Sequence, residues 1–244
     1  RSMIRWMPEL EKIIESFSTS DEKPHSNFRL WLSSKPHEKF PITILQKSRK
    51  ITTEPPQGLG SNIKRLYQPF EAEEFEHACS KPVYKRLLFS LAFYHSVLLE
   101  RRKFGMLGWN IPYDFNDSDF AIGNDLLKLY LDKYEEIPWE ALRFLIGEVN
   151  YGGRVSDDND RRVLNVYSQQ YFNDEIAAIS EYKLCEDKRY AIPKDGRLDV
   201  YTKAISQLPN DDPPICFGQH PNADISSQIF NSTTLLNKML SLTA

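Results

Sequence analysis

Apolar positions between residues 83 and 103 recur at three- and four-residue steps: Leu87, Leu88, Leu91, Ala92, Tyr94, His95, Leu98 and Leu99. That spacing predicts a long helix facing a core. Trp6, Met7, Leu10, Ile13, Ile14 and Phe17 mark an amphipathic helix near the start, ending near Ser18–Ser20, with Pro8 tolerated in its first turn. Ile63, Leu66, Tyr67 and Phe70 predict a short helix, and residues 75–79 another. Further helices are predicted over 117–134, over 139–146 behind Pro138, and after an Asp157 or Asp158 cap through Val163, Leu164, Val166 and Tyr167. Residues 198–208, 223–230 and 233–242 follow, the last behind an Asn231/Ser232 cap, and residues 182–192 read as a small hairpin or extended pair.

Two runs near the start carry a different pattern. Phe28–Leu32 is too short for a helix and rich in large apolar residues, which predicts a strand stopped by Ser33-Ser34-Lys35-Pro36. Phe40–Gln46 is a second strand candidate. Arg49–Thr53 can extend it, and Glu54-Pro55-Pro56-Gln57-Gly58 is a rigid stop. Parallel strands are buried on both faces and need neighbours, so this sheet is expected to be completed by residues outside the chain. The fold class is therefore read as α+β, mainly α: a partial α/β piece with an incomplete parallel sheet over 1–67, a helical domain over 68–225, and the start of a further region over 226–244.

The connection over 104–119 holds Gly105, Gly108, Trp109, Pro112, Tyr113 and Phe115, and closes on Asn116-Asp117-Ser118-Asp119. It reads as an ordered joint packed by Trp109, Pro112 and Tyr113. Asp117 or Ser118 would cap the following helix by accepting from its first free N–H groups. Gly152 and Gly153, beside Arg154, read as a second tight bend. If Gly153 has a positive φ, a side chain there would be strained.

Composition narrows the function classes. A chain of 244 residues, 41% apolar, 12% aromatic and 27% charged, is globular and long enough to bury a core. A net charge of −3 gives no basic footprint, which disfavours nucleic-acid binding. The most apolar stretch, Leu87–Leu99, is broken by Ser90, His95 and Ser96 and is too short to span a membrane. The opening Arg1–Trp6 lacks the regions of a signal peptide, so an intracellular setting is expected. Cys79, Cys185 and Cys216 have no CxxC spacing and read as buried or incidental thiols. No phosphate loop of the GxxxxGK[ST] kind occurs, and Gly58-Leu59-Gly60 reads as turn punctuation. Asp157–Asp160 lacks the glycine and distal glutamate of a calcium loop. The five histidines show no ligand spacing, and His95 reads as a core residue. No catalytic, cofactor-binding or metal-binding residue is assigned. Gly152-Gly153-Arg154 leaves open the approach of an anion to the backbone.

Several ordered blocks together resemble one family: Met7–Lys12 behind Trp6, Phe28–Ser34, Phe40–Gln46, Thr53–Leu59, Leu99–Lys103, Phe104–Asp119, Asn150–Val155, Trp139–Arg143 and Phe217–Ile225. They resemble the C-terminal part of dynein heavy chains, in the sixth AAA+ module of the motor ring, and the joint looks axonemal. The resemblance implies that residues 1–67 end the module's large subdomain, that 68–225 form its helical lid, and that 226–244 approach a C-terminal domain. Ser33 or Ser34 would hold a degenerate sensor 1 position. The chain would be a fragment of a longer one, with no cofactor of its own and with ATP and Mg bound elsewhere in the parent. The implied function is a structural ring segment of an ATP-driven, minus-end-directed microtubule motor in the axoneme of a cilium or flagellum, within the cytoplasmic cytoskeleton. Implied partners are the neighbouring AAA+ modules and C-terminal domain of the same heavy chain. Dynein intermediate and light chains and microtubules would be reached through the full complex, with no nucleic acid and no membrane. The alternatives are a lid that still binds ADP or ATP through Arg143 or Arg154, and a docking module for non-motor axonemal proteins.

Overall fold

The computed structural model describes residues 3–19, 24–34, 40–51 and 56–243. They belong to two compact units, 1–55 and 56–244. In the first, a 3-10 turn over Met3–Trp6 runs into helix α1, Met7–Thr19, and a second helix α2 spans Ile42–Lys47. Leu10 and Ile44 are buried, and Thr43 Oγ1 donates to the Glu11 carboxylate, tying α2 to α1. The Phe17 and Phe28 rings meet edge to face at 5.7 Å.

Both predicted strands are corrected. Residues 28–34 have no regular structure, and Phe40–Gln46 is replaced by α2. Strand preference is a preference for a pleated, half-buried surface, and among the described residues there is no ladder for either run to join. Without one, Pro41 starts a helix instead, its carbonyl accepting from Leu45 N at 3.3 Å. Phe28, Leu30, Trp31 and Leu32 are left exposed, Trp31 by 79%. The predicted stops at Lys35-Pro36 and at 53–55, and the helix end at Ser20, lie outside the described residues.

The second unit is helical. Its elements are α3 Leu59–Tyr67, α4 Ala72–His77, α5 Val83–Glu100, α6 Asp117–Lys133, α7 Trp139–Arg143, α8 Asp158–Tyr171, α9 Asp174–Ala178, α10 Leu198–Ser206 and α11 Ala223–Thr243. Every residue of α5 from 87 to 98 is buried, so this helix has no solvent face. A helix apolar all round belongs at the centre of its domain. Accordingly α3, α6, α8 and α9 all pack against α5. Its two buried serines are satisfied inside: Ser90 Oγ donates to Tyr171 O at 2.7 Å, and Ser96 Oγ to Ala92 O at 2.7 Å. Aromatic rings fill the spaces on both sides, with Tyr67, Phe75, Phe89 and Tyr201 in one cluster and Tyr94, Tyr151, Tyr171 and Phe172 in another. A buried Asp212 carboxylate accepts from Leu59 N at 2.7 Å and from the Tyr190 hydroxyl, anchoring the start of α3.

The hairpin reading of 182–192 is met by an antiparallel bridge between Lys183 and Ala191, with Leu184 N donating to Tyr190 O at 2.9 Å. Residues 223–243 form one helix where two were expected. Asn231 and Ser232 are exposed within it, where a polar side chain has no need to interrupt the backbone ladder. The helix behind Pro138 ends at Arg143 and widens into a π-helix over Phe144–Tyr151. No helix among the described residues is long and apolar enough to cross a membrane.

His95 lies in the middle of α5, fully buried, with Nδ1 2.8 Å from the Tyr151 hydroxyl and Phe120 beside its ring. Burial disfavours the charged imidazolium and lowers its pKa from 6.5 to about 4. The unfolded chain therefore binds this proton before the folded one does. The contribution is complete above the unfolded value and is lost as pH falls from about 6.5 towards 4, a loss of about 3 kcal/mol. Urea unfolding between pH 7.5 and 4 should show this slope, and His95→Gln should flatten it; an unchanged slope in the variant would assign it to other groups.

Candidate functional site

The last turn of a buried helix leaves carbonyl groups without partners, and α5 meets this need with the segment that follows it. Trp109 is buried and its Nε1 donates to Leu98 O at 3.1 Å. Arg101, the residue after the helix, turns its guanidinium inward and is only 5% exposed. Nε donates to Gly108 O at 3.0 Å, and Nη2 to Leu107 O at 3.3 Å. Nη1 donates to Phe217 O at 3.0 Å and to the Tyr167 hydroxyl, which itself donates to Phe217 O. The faces of Trp109 and Tyr167 lie 5.2 and 5.3 Å from the guanidinium carbon. One cation thus joins the end of α5, the 3-10 segment Arg101–Leu107, α8 and the 3-10 turn Pro214–Phe217.

Gly108 makes this closure possible. A Cβ there would sit 1.8 Å from Arg101 O, where no side chain fits. Gly105, at φ 57° and ψ −130°, provides the reversal before it.

A buried carboxylate holds the other side of the joint. Asp160, in the first turn of α8, accepts from Asn110 N at 3.1 Å, Ile111 N at 3.3 Å and the Tyr113 hydroxyl at 2.9 Å. Asp157 caps α8 by accepting from Asn159 N and Asp160 N at 2.9 and 3.0 Å, and also accepts from Asn110 Nδ2 at 3.0 Å. Those donors, the Asp160 amide first, hold its carboxyl below the usual range.

The cap of α6 differs from the sequence expectation. It is Asn116, not Asp117 or Ser118: Asn116 is extended, at φ −143° and ψ 175°, and its Oδ1 accepts from Ser118 N at 3.0 Å. Asp119 completes a capping box by accepting from Asn116 N at 2.9 Å. Asp117 is already within the helix, and its carboxylate pairs with Arg65. Asp119 also takes Arg154 Nε at 2.9 Å, and its carbonyl accepts from Asn150 Nδ2 at 2.7 Å, so the cap of α6 anchors the end of the π-helix and the turn after it.

Of the residues singled out in the sequence, Trp109 and Tyr113 lie inside this joint, and Arg154 is bound to it through Asp119. Pro112 and Ser118 are exposed. Ser33 and Ser34 are exposed in the irregular stretch of the first unit. Gly152 has ordinary helical angles, and the Gly153 expectation is corrected: its φ is not positive, and a Cβ there meets nothing within 4 Å. Arg101, Gly108, Asn116 and Asp160 carry roles that sequence reading did not assign. The available signal was an arginine directly behind an uninterrupted apolar helix, with a glycine seven residues on. Among the described residues no group of three His, Cys, Asp or Glu side chains could hold a metal ion.

Comparison with known proteins places this joint in a family. Residues 84–223 match the dynein heavy chain AAA lid domain, and residues 1–52 match the dynein heavy chain region D6 P-loop domain. Over 240 residues, 98% of the chain, it is 56% identical to dynein axonemal heavy chain 2 of Mus musculus and 51% identical to the Chlamydomonas reinhardtii dynein-1-beta heavy chain of the flagellar inner arm I1 complex. Dynein axonemal heavy chain 12 of Homo sapiens is 43% identical over 97% of the chain. The chain spans 5% of the length of the first two relatives and 8% of the third.

Gly108→Ala should cost about 2–4 kcal/mol, since backbone has to move to admit the methyl, whereas Gly153→Ala should stay within about 0.5 kcal/mol of the parent. Urea titrations followed by tryptophan fluorescence measure both, and equal midpoints would refute the closure described. Asp160→Ala strands two backbone amides and a tyrosine hydroxyl, and should cost about 2–3 kcal/mol by the same measurement.

Proposed function

The chain belongs to the dynein heavy chain family, and from that premise we propose that it works as a mechanical strut: the lid and adjoining part of an AAA+ module in an axonemal motor ring. The observation that carries this reading is that the charged groups at the joint are bound internally. Arg101 is bonded to three carbonyls and a tyrosine, Asp160 holds two amides and a tyrosine, and Asp119 both caps α6 and binds Arg154. Such an arrangement transmits displacement as a rigid body. It offers little to a phosphate: the Arg154 side chain that a nucleotide would recruit is already paired with Asp119.

In this reading the piece up to about residue 67 contributes to the large subdomain, with Ser33 or Ser34 at a vestigial sensor position. The lid extends to about residue 225, and the end of α11 leads towards a C-terminal domain. The exposed Phe28, Leu30, Trp31 and Leu32 would be covered by neighbouring parts of the module. Its direct partners would be adjacent ring modules of the same heavy chain. ATP and Mg would be used elsewhere in the parent, and microtubules and the intermediate and light chains would be reached only through the whole complex, in the axoneme of a cilium or flagellum.

Calorimetric titration of Mg·ATP or ADP into the chain should give no saturable binding below about 1 mM. Micromolar binding would instead favour a nucleotide-holding lid. In a heavy-chain motor carrying this segment, Gly108→Ala should slow microtubule gliding while basal ATP turnover stays within about two-fold; unaltered gliding by a motor with a destabilised joint would reject the strut.

A further inference from the structure

Two of the three cysteines, far apart in sequence, are brought together. Cys185 sits at the start of the hairpin closed by Lys183 and Ala191, and Cys216 lies in the 3-10 turn Pro214–Phe217. Their Sγ atoms are 3.4 Å apart, with both thiols free. A disulfide needs about 2.05 Å, so side-chain rotation closing the gap by about 1.4 Å would join them. Their environments are unequal. Cys216 is buried, 1% exposed, whereas Cys185 is only partly buried.

We propose that Cys185 and Cys216 form a peroxide-oxidisable thiol pair, in which Cys185 is attacked first and Cys216 resolves it to a disulfide. The Cys185 thiolate attacks one oxygen of hydrogen peroxide, the O–O bond breaks, and a sulfenic acid forms with release of hydroxide. The Cys216 sulfur then attacks the Cys185 sulfur, its proton leaves with the departing hydroxyl, and water is released. In sum, two thiols and one peroxide give one disulfide and two waters: the sulfurs lose two electrons and the peroxide oxygens gain them.

The order of attack follows from the surroundings. Once Cys185 ionises, the S–H of Cys216 can donate to it, and this partner lowers the Cys185 pKa from its ordinary value despite the nearby Asp187 and Glu186. The Cys216 thiol is pushed up by the same neighbour and by burial, with Asp187 and Asp212 adding to the effect. Arg189 stands beside the pair but is bound to Asp187. Cys79 serves as an internal contrast: burial raises its pKa, and its Sγ faces Asp132 at 3.3 Å. The consequence reaches the joint. Phe217, the residue after Cys216, supplies the carbonyl that Arg101 and Tyr167 both bind, so the disulfide would pin the turn that receives the buried cation to the hairpin.

The test is limited oxidation of the chain with hydrogen peroxide, followed by alkylation and non-reducing peptide mapping. The expected result is a mass loss of two hydrogens, a single linkage between the Cys185 and Cys216 peptides that dithiothreitol reverses, and Cys185 consumed about ten-fold faster than Cys79. Cys216→Ser should leave a dimedone-reactive sulfenic acid on Cys185, and Cys185→Ser should leave Cys216 reduced, with circular dichroism confirming that each variant is folded. The wild-type map decides the linkage even if a variant fails to fold. Cys185 reacting no faster than Cys79, a sulfenic acid that persists in the wild type without linkage, or a linkage to Cys79 would each overturn the proposal.

Discussion

A cation buried at the end of an apolar helix sets the terms for the rest of the second unit. Arg101 follows a helix with no solvent face, and a guanidinium in that position is costly unless acceptors surround it. Carbonyls of Leu107, Gly108 and Phe217 and the Tyr167 hydroxyl meet that demand, while Trp109 and Tyr167 supply aromatic faces. Those acceptors come from three separate stretches of chain. The connection after α5, the end of the 3-10 turn at Phe217 and the α8 helix are therefore positioned together, and α11 packs on the segment that Arg101 opens.

Buried acids do the complementary work at helix starts. Asp160, Asp119 and Asp212 are each 5% exposed or less, and each accepts from backbone amides that a helix or a tight turn leaves unpaired. A carboxylate with several fixed donors resists rotation, because moving it abandons more than one bond at once. The lid-like unit consequently has its rigidity concentrated at junctions between helices as well as in the aromatic core. The proposed strut role asks for rigidity at such junctions.

The first unit has a different character. Its described residues bury Leu10 and Ile44 but leave Phe28, Leu30, Trp31, Leu32, Ile42 and Ile51 in solvent. Apolar side chains so exposed mark surface that other parts of a larger protein can cover. The relatives that this chain resembles are many times its length, in keeping with that picture.

Helical periodicity made most of the second unit legible, and the joint over 104–119 was recognisable because glycine, proline and aromatic residues punctuate it. Recognition of the family also came from ordered blocks of residues. Local sequence misjudged the run at 40–46, since β-branched residues favour a strand only where a ladder exists to receive them. It assigned the α6 cap one or two residues late, to Asp117 or Ser118, because Asn116 and the aspartate three residues on share the task. It gave weight to Gly153, whose surroundings are open, and passed over Gly108, whose need is created by the Arg101 carbonyl arriving from the previous turn. The sequence by itself determined most of the helical segments of the second unit and which connection is ordered, since both depend on neighbours along the chain. Tertiary structure alone decided that Arg101 reaches Tyr167 and Phe217, that Asp160 holds the backbone at Asn110 and Ile111, and that Cys185 meets Cys216, because those contacts join residues 31 to 116 positions apart, and no local pattern encodes such encounters.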